Sequence, residues 1–189
     1  MSNVLQMASK IIEESAKKIN VVEIGTGYGT DLIEIYSKNL QKLSCIDPMY
    51  DWVPDVKPDE KFDQAKVDSK KVESWNKNSK ELIKKGVKCN LIIGKSADIA
   101  VDEAKSKTLF NTNLLIIDGC HHPISAVEDD YWLYRKFMSK EHVVLFDDIN
   151  HGDPGIAFEN VKNKLEASGE LVSYSLEGGY IGRLDVKMK

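Results

Sequence analysis

The feature that most restricts this chain is a glycine-rich turn set between an apolar run and a helical pattern: Val21-Val-Glu-Ile-Gly25-Thr-Gly27-Tyr-Gly29-Thr-Asp31. Val21 to Ile24 reads as a buried strand. Glycine allows a sharp turn and a close approach of backbone to ligand. The rest of the chain keeps the same rhythm. Short apolar runs recur at Leu43 to Ile46, Leu91 to Ile93, Leu114 to Ile117 and Val143 to Phe146, with helical patterns among them. That alternation specifies an α/β protein with a parallel sheet.

The intervening segments fit this plan. Residues 3–19 place Val4, Leu5, Ala8, Ile11, Ile12, Ala16 and Ile19 on one helical face, which predicts an N-terminal helix over 1–19. Asp31 to Leu40 resumes a helical period. Lys66 to Lys85 predicts a long polar helix stopped by Gly86, and residues 124–138 predict another. Leu171 to Ser175 and Tyr180 to Val186, joined through Leu176-Glu-Gly-Gly179, read as a β-hairpin. Residues 49–62, with Tyr50, Trp52, Pro54 and Pro58, read as an irregular loop. A substrate lid and a plain surface insertion both fit it. With 189 residues and no internal repeat, one domain over 1–189 is expected.

Composition narrows the partners. A net charge of -4 argues against a general nucleic-acid binder. The cluster Lys70, Lys71, Lys77, Lys80, Lys84 and Lys85 reads as the solvated face of a helix. No apolar run approaches the length of a membrane span, and the N-terminus lacks the pattern of a secretion signal. The three cysteines, Cys45, Cys89 and Cys120, form no CxxC pair, which suggests a reducing compartment and a cytoplasmic location. Cys45 and Cys89 read as small buried filler on strands.

Several nucleotide-binding patterns fail on inspection. The nicotinamide fingerprint wants Gly or Ala where Thr30 stands. Gly94-Lys95-Ser96 has the tail of a phosphate-binding loop, but Cys89 occupies the first glycine position. The spacing from Glu23 is instead E-x-G-x-G-x-G. Asp47 follows Gly29 by 18 residues at the end of the second strand. A carboxylate there can accept hydrogen bonds from both hydroxyls of a ribose, or it can simply initiate a turn before Pro48.

This combination resembles the class I S-adenosylmethionine-dependent methyltransferases, and the order of motifs through the hairpin covers nearly the whole chain. The resemblance implies a Rossmann-like fold: a seven-stranded, mostly parallel sheet with a C-terminal antiparallel hairpin and helices on both faces. It implies that Gly25, Gly27 and Gly29 pass the methionine end of the cofactor, with Glu23 ordering the loop and the cofactor's amino group. Gly94-Lys95-Ser96-Ala97-Asp98 would line the adenine, with Ser96 and Asp98 at its polar edge. A helix N-cap at Ser96 is compatible with that role.

A second constellation is Ile116-Ile-Asp118-Gly-Cys-His121-His122, followed later by Leu145-Phe-Asp147-Asp148-Ile-Asn150-His151. Sequential strands are usually neighbours, so Asp118, Asp147 and Asp148 are expected to converge on one sheet edge. Packed carboxylates need protons or a cation, and oxygen ligands suit Mg²⁺ or another divalent ion. Each aspartate can also cap a following helix. The pattern resembles metal-dependent sugar O-methyltransferases of antibiotic pathways, relatives of the catechol type. That resemblance implies that Asp118, Asp147 and Asp148 hold a divalent metal, that Asp118 also borders the cofactor, and that a small-molecule or sugar hydroxyl is the acceptor. The base is assigned to His121, then His122, with His151 a third candidate. The usual glycine turn before the fifth strand is replaced by Ser139-Lys-Glu-His142. The acceptor site is expected to be open, completed by a second subunit of a homo-oligomer, or suited to a large substrate. Two rival readings stay in view: a metal-independent N-methyltransferase, and a non-catalytic module that binds S-adenosylmethionine or another nucleotide.

Overall fold

Residues 3–50, 61–119 and 122–189 are described in a computed structural model. The strands are β1 (Ile19–Ile24), β2 (Leu40–Asp47), β3 (Lys88–Ile93), β4 (Thr112–Ile117), β5 (Met138–Phe146), β6 (Leu171–Glu177) and β7 (Ile181–Lys187). They form one sheet in the order β3-β2-β1-β4-β5-β7-β6. β1 to β5 pair in parallel, and β7 runs antiparallel to both β5 and β6. The expected mostly parallel sheet with a terminal antiparallel hairpin is present.

Helices cover both faces because alternate strand residues point to opposite sides and both sides are apolar. On one face, α1 (Asn3–Glu14) and α2 (Ser69–Lys84) bury Val4, Leu5, Ala8, Ile12, Trp75 and Leu82 against Val21, Leu43, Leu114 and Leu145. On the other, α3 (Ser96–Val101), α5 (Ile124–Tyr134) and α6 (Gly152–Ser168) bury Ile99, Val127, Tyr131, Phe158 and Val161 against Val22, Ile46, Leu115 and Phe146. A short α4 (Glu103–Ser106) leads towards β4, its end capped by the Asp102 carboxylate on the amides of Ala104 and Lys105.

Three boundaries differ from expectation. The helix predicted over Asp31 to Leu40 is only a 3₁₀ turn at Leu32–Ile35, after which the chain extends into β2. Ten helical residues advance about 15 Å, whereas recrossing a six-residue strand takes about 20 Å. An extended stretch is needed to make the return. Leu32 and Ile35 still bury completely, because i, i+3 spacing serves a 3₁₀ turn as well as a helix. The predicted helix over 124–138 ends as α5 at Tyr134, followed by a tight turn at Arg135–Phe137. Met138 therefore already belongs to β5, and His142, in place of a glycine turn, is a buried strand residue against Tyr131. The N-terminal helix stops at Glu14 rather than reaching residue 19. Of the predicted loop over 49–62, residues 51–60 lie outside the described ones. Around it, Tyr50 bridges to Val67 and stacks on Phe62.

Strand order reverses between β1 and β4, since β2 and β3 continue to one side and β5 to the other. In an open α/β sheet the crevice at the carboxyl ends of such a pair is where ligands bind. Here the ladder runs one residue beyond the strands. Gly25 N–H donates to Ile46 O (2.9 Å), Asp118 N–H to Ile24 O (2.9 Å), Asp147 N–H to Ile117 O (3.0 Å) and Gly94 N–H to Asp47 O (3.1 Å). Four strand-end residues are thereby held in register along one edge. Among the described residues, no helix is long and apolar enough to cross a membrane.

Candidate active site

The three turn glycines do different things. Gly25 has φ +92°, and a Cβ there would sit 2.0 Å from the Asp118 carbonyl oxygen and 2.5 Å from the Gly119 Cα. Its lack of a side chain is what lets β1 and β4 close on each other. At Gly29, a Cβ would meet the side chains of Trp75 and Leu32. Gly27, at φ +53°, has nothing among the described residues within 4 Å of its Cβ direction. Among the described residues, Gly27 of the three leaves its bare backbone uncovered, as close approach of a ligand requires.

Acidic side chains surround this turn. Glu23, 3% exposed, accepts a hydrogen bond from the Cys45 thiol at 3.0 Å and lies beside Thr26; burial raises its carboxyl above the ordinary range. Burial likewise pushes the Cys45 thiol up. Asp47 accepts the Gly27 N–H on Oδ2 (2.9 Å) and the Met49 N–H on Oδ1 (2.5 Å). Its carboxyl is raised by burial, against the pull of those two amides and of Lys71. Each oxygen of Asp47 keeps a further lone pair for an outside donor. Asp118 is pushed up to about 8, first by burial and then by Asp147, Glu23, Asp148 and Asp47. The sheet thus gathers Glu23, Asp47, Asp118, Asp147 and Asp148 within mutual electrostatic reach. Such a group favours a positively charged ligand or bound protons.

The loop after β3 is held from below. The Ser96 hydroxyl donates to Asp130 Oδ1, and the Tyr134 hydroxyl donates to the Ser96 carbonyl at 2.8 Å. Asp130 is buried, which pushes its carboxyl up to about 7 despite the Ser96 bond. The N-cap of α3 is Lys95, with no side-chain cap bond, so the N-cap expected at Ser96 is not formed. Ala97 and Asp98 are exposed in the first turn of α3.

The basic candidates separate. Cys120 and His121 lie outside the described residues. His122 is 78% exposed at its side chain, with Nδ1 2.9 Å from Asp153 Oδ2 at the start of α6. His151 Nδ1 lies 3.7 Å from Asp148 Oδ1. Asp148 itself sits at φ +54°. Among the described residues, no three His, Cys, Asp or Glu side chains form a group able to hold a metal ion. Asp147 and Asp148 both act on Asp118 electrostatically, and Asp148 also faces His151. The divalent ion implied for Asp118, Asp147 and Asp148 is not shown by this arrangement, and no chemistry below is routed through it.

Two members of the site escaped the sequence reading. The Cys45–Glu23 bond depends on strand register, which pairs those two residues across β1 and β2. Asp130 carried a signal: it lies three residues after Val127 and four before Tyr134, on the helix stripe that is otherwise apolar. Of the lysine cluster, Lys71 alone is not exposed: its ammonium donates to the Tyr50 carbonyl and lies over the Tyr28 ring.

With this geometry in hand, the fold is similar to that of several solved methyltransferases. The O-methyltransferase NovP superposes with a TM-score of 0.67 at 10% identity, over 99% of this chain and 79% of that one. An O-methyltransferase family protein from Burkholderia thailandensis gives 0.57 at 10% identity, over 98% of this chain and 57% of its own. The magnesium protoporphyrin IX methyltransferase of Synechocystis PCC 6803, solved with bound S-adenosylmethionine, gives 0.52 at 10% identity, over 98% and 80%. No protein-family model matches the sequence, and neither does any curated protein.

Proposed function

We propose that this chain is an S-adenosylmethionine-dependent methyltransferase that methylates a hydroxyl oxygen of a small molecule or sugar. The observation that carries the reading is the acidic edge around Gly27: bare backbone in open space, flanked by carboxyls suited to a cationic, ribose-bearing ligand. S-adenosylmethionine has both properties, and it supplies a methyl group made electrophilic by its sulfonium.

In this reading Gly27 lets the methionine portion lie against the main chain. Asp47, its oxygens pinned by the Gly27 and Met49 amides, accepts the two ribose hydroxyls. Glu23 and Asp118 face the cofactor's ammonium group, and Ser96, Ala97 and Asp98 border the adenine. The acceptor hydroxyl sits towards Asp147 and Asp148. Its oxygen forms the new bond to carbon while its proton passes to an imidazole, that of His121 or His122, and the electron pair of the broken carbon–sulfur bond stays on sulfur. The chain's main contribution is to hold oxygen, carbon and sulfur in line.

The test is transfer of labelled methyl from S-adenosylmethionine to a panel of hydroxyl acceptors with amines as controls, each run with EDTA and with Mg²⁺. Transfer to oxygen is expected, and its survival in EDTA would show that no divalent ion is needed. Loss in EDTA with recovery in Mg²⁺ would return a metal to Asp118, Asp147 and Asp148. Transfer only to amines would replace the oxygen reading with the N-methyltransferase one.

A further inference from the structure

Asp130 is a carboxyl buried on the apolar stripe of α5, between Val127 and Tyr134, and none of the roles above uses it. A leucine there would avoid the cost of burying a polar group. What the carboxyl does is local. Its Oδ1 accepts the Ser96 hydroxyl, and one turn further on the Tyr134 hydroxyl holds the Ser96 carbonyl at 2.8 Å. Ser96 is thereby held at both its side chain and its backbone from a single helix. The loop needs this, because α3 has no side-chain cap of its own. The second oxygen of Asp130 lies 3.8 Å from where a Cβ of Gly119 would project. Asp130 therefore underlies two loops at once, the one after β3 and the one after β4.

We propose that Asp130 is a positioning residue for base recognition, setting the Gly94–Asp98 loop through Ser96 so that its polar edge discriminates adenine from other bases. This rests on the cofactor reading above. A buried polar pair is a means of fixing one geometry where apolar packing would accept several. Asp130 does not touch the base; it decides where Ser96, Ala97 and Asp98 stand. Because burial raises its carboxyl towards neutrality, an amide is the conservative replacement, retaining an oxygen that accepts the Ser96 hydroxyl.

The experiment is calorimetric binding of S-adenosylhomocysteine and of S-inosylhomocysteine, whose base carries a carbonyl in place of the amino group. Wild type, Ser96→Ala, Asp130→Ala and Asp130→Asn are compared. Wild type is expected to favour the adenine ligand. Ser96→Ala and Asp130→Ala should each weaken S-adenosylhomocysteine by about tenfold and S-inosylhomocysteine much less, so that discrimination shrinks, while Asp130→Asn keeps most of it. Equal losses for both ligands, or unchanged discrimination in Ser96→Ala, would overturn the proposal. Ser96→Ala keeps the test alive if Asp130→Ala does not fold, since it removes the same bond from a loop residue. Failure of the wild type to bind S-adenosylhomocysteine at all is a different result: it removes the cofactor reading and this proposal with it.

Discussion

Gly25 and Gly27 are two residues apart in one turn, yet the same substitution should affect them in opposite ways. At Gly25, an added methyl would stand 2.0 Å from a backbone oxygen and 2.4 Å from a backbone carbon of Asp118. Neither atom is the end of a flexible side chain. Relief requires β1 and β4 to part at their carboxyl ends, which opens the Asp118-to-Ile24 hydrogen bond. That bond contributes about 1 kcal/mol, and a left-handed alanine costs about 1–2 kcal/mol more. Gly25→Ala should therefore cost at least about 2–3 kcal/mol, which lowers Tm by about 4–12 °C in a domain this size. At Gly27 nothing is struck, so Gly27→Ala should cost only the backbone term, about 1–2 kcal/mol and about 2–8 °C. Ligand affinity should reverse the order of interest: Gly27→Ala remains folded but loses S-adenosylhomocysteine binding, because its methyl enters the space the ligand needs. Thermal unfolding and calorimetry on the two variants decide this. A Gly25→Ala protein as stable as wild type would refute the packing argument, and a Gly27→Ala protein with wild-type affinity would refute the ligand argument.

Other outcomes follow from the acidic edge. Asp47→Ala should weaken S-adenosylhomocysteine by about 10- to 100-fold in calorimetry, since it removes hydrogen bonds to a charged acceptor; unchanged affinity would take the ribose away from Asp47. Asp118, held up to about 8, keeps a proton in the folded protein that the unfolded chain releases near pH 4. Stability should therefore fall as pH rises from about 4 to about 8, by about 1.4 kcal/mol per unit for one proton. Asp118→Asn should flatten that fall in denaturant titrations between pH 6 and 8, and an unchanged slope would mean that Asp118 ionises normally. The same variant should weaken S-adenosylhomocysteine in calorimetry, because it removes a carboxyl that faces the ligand's ammonium group; unchanged affinity would take the ammonium group away from Asp118.

Much of this architecture was legible because burial on both faces writes strands as unbroken apolar runs, as at Leu114 to Ile117, and because a turn must supply glycines where β1 and β4 converge. The strand-end acids were legible for the same reason, since Asp47, Asp118 and Asp147 each follow such a run directly. The segment after Gly29 was not, because Leu32 and Ile35 satisfy a helix and a 3₁₀ turn equally. The start of β5 was hidden by Ser139, Lys140 and Glu141, which a strand accepts where only one face is covered. The stripe of α5 marks Asp130 as buried, but its Ser96 partner and the Cys45–Glu23 pair depend on tertiary neighbours that local periodicity does not encode.

The most direct test of the central claim is a calorimetric titration of S-adenosylhomocysteine into the purified protein in EDTA, repeated with Mg²⁺. One-to-one binding in EDTA, with the same affinity once Mg²⁺ is added, is the predicted result. Silence under both conditions would mean that the open backbone at Gly27 and the carboxyls around it serve a different ligand, and the methyltransferase account would be contradicted.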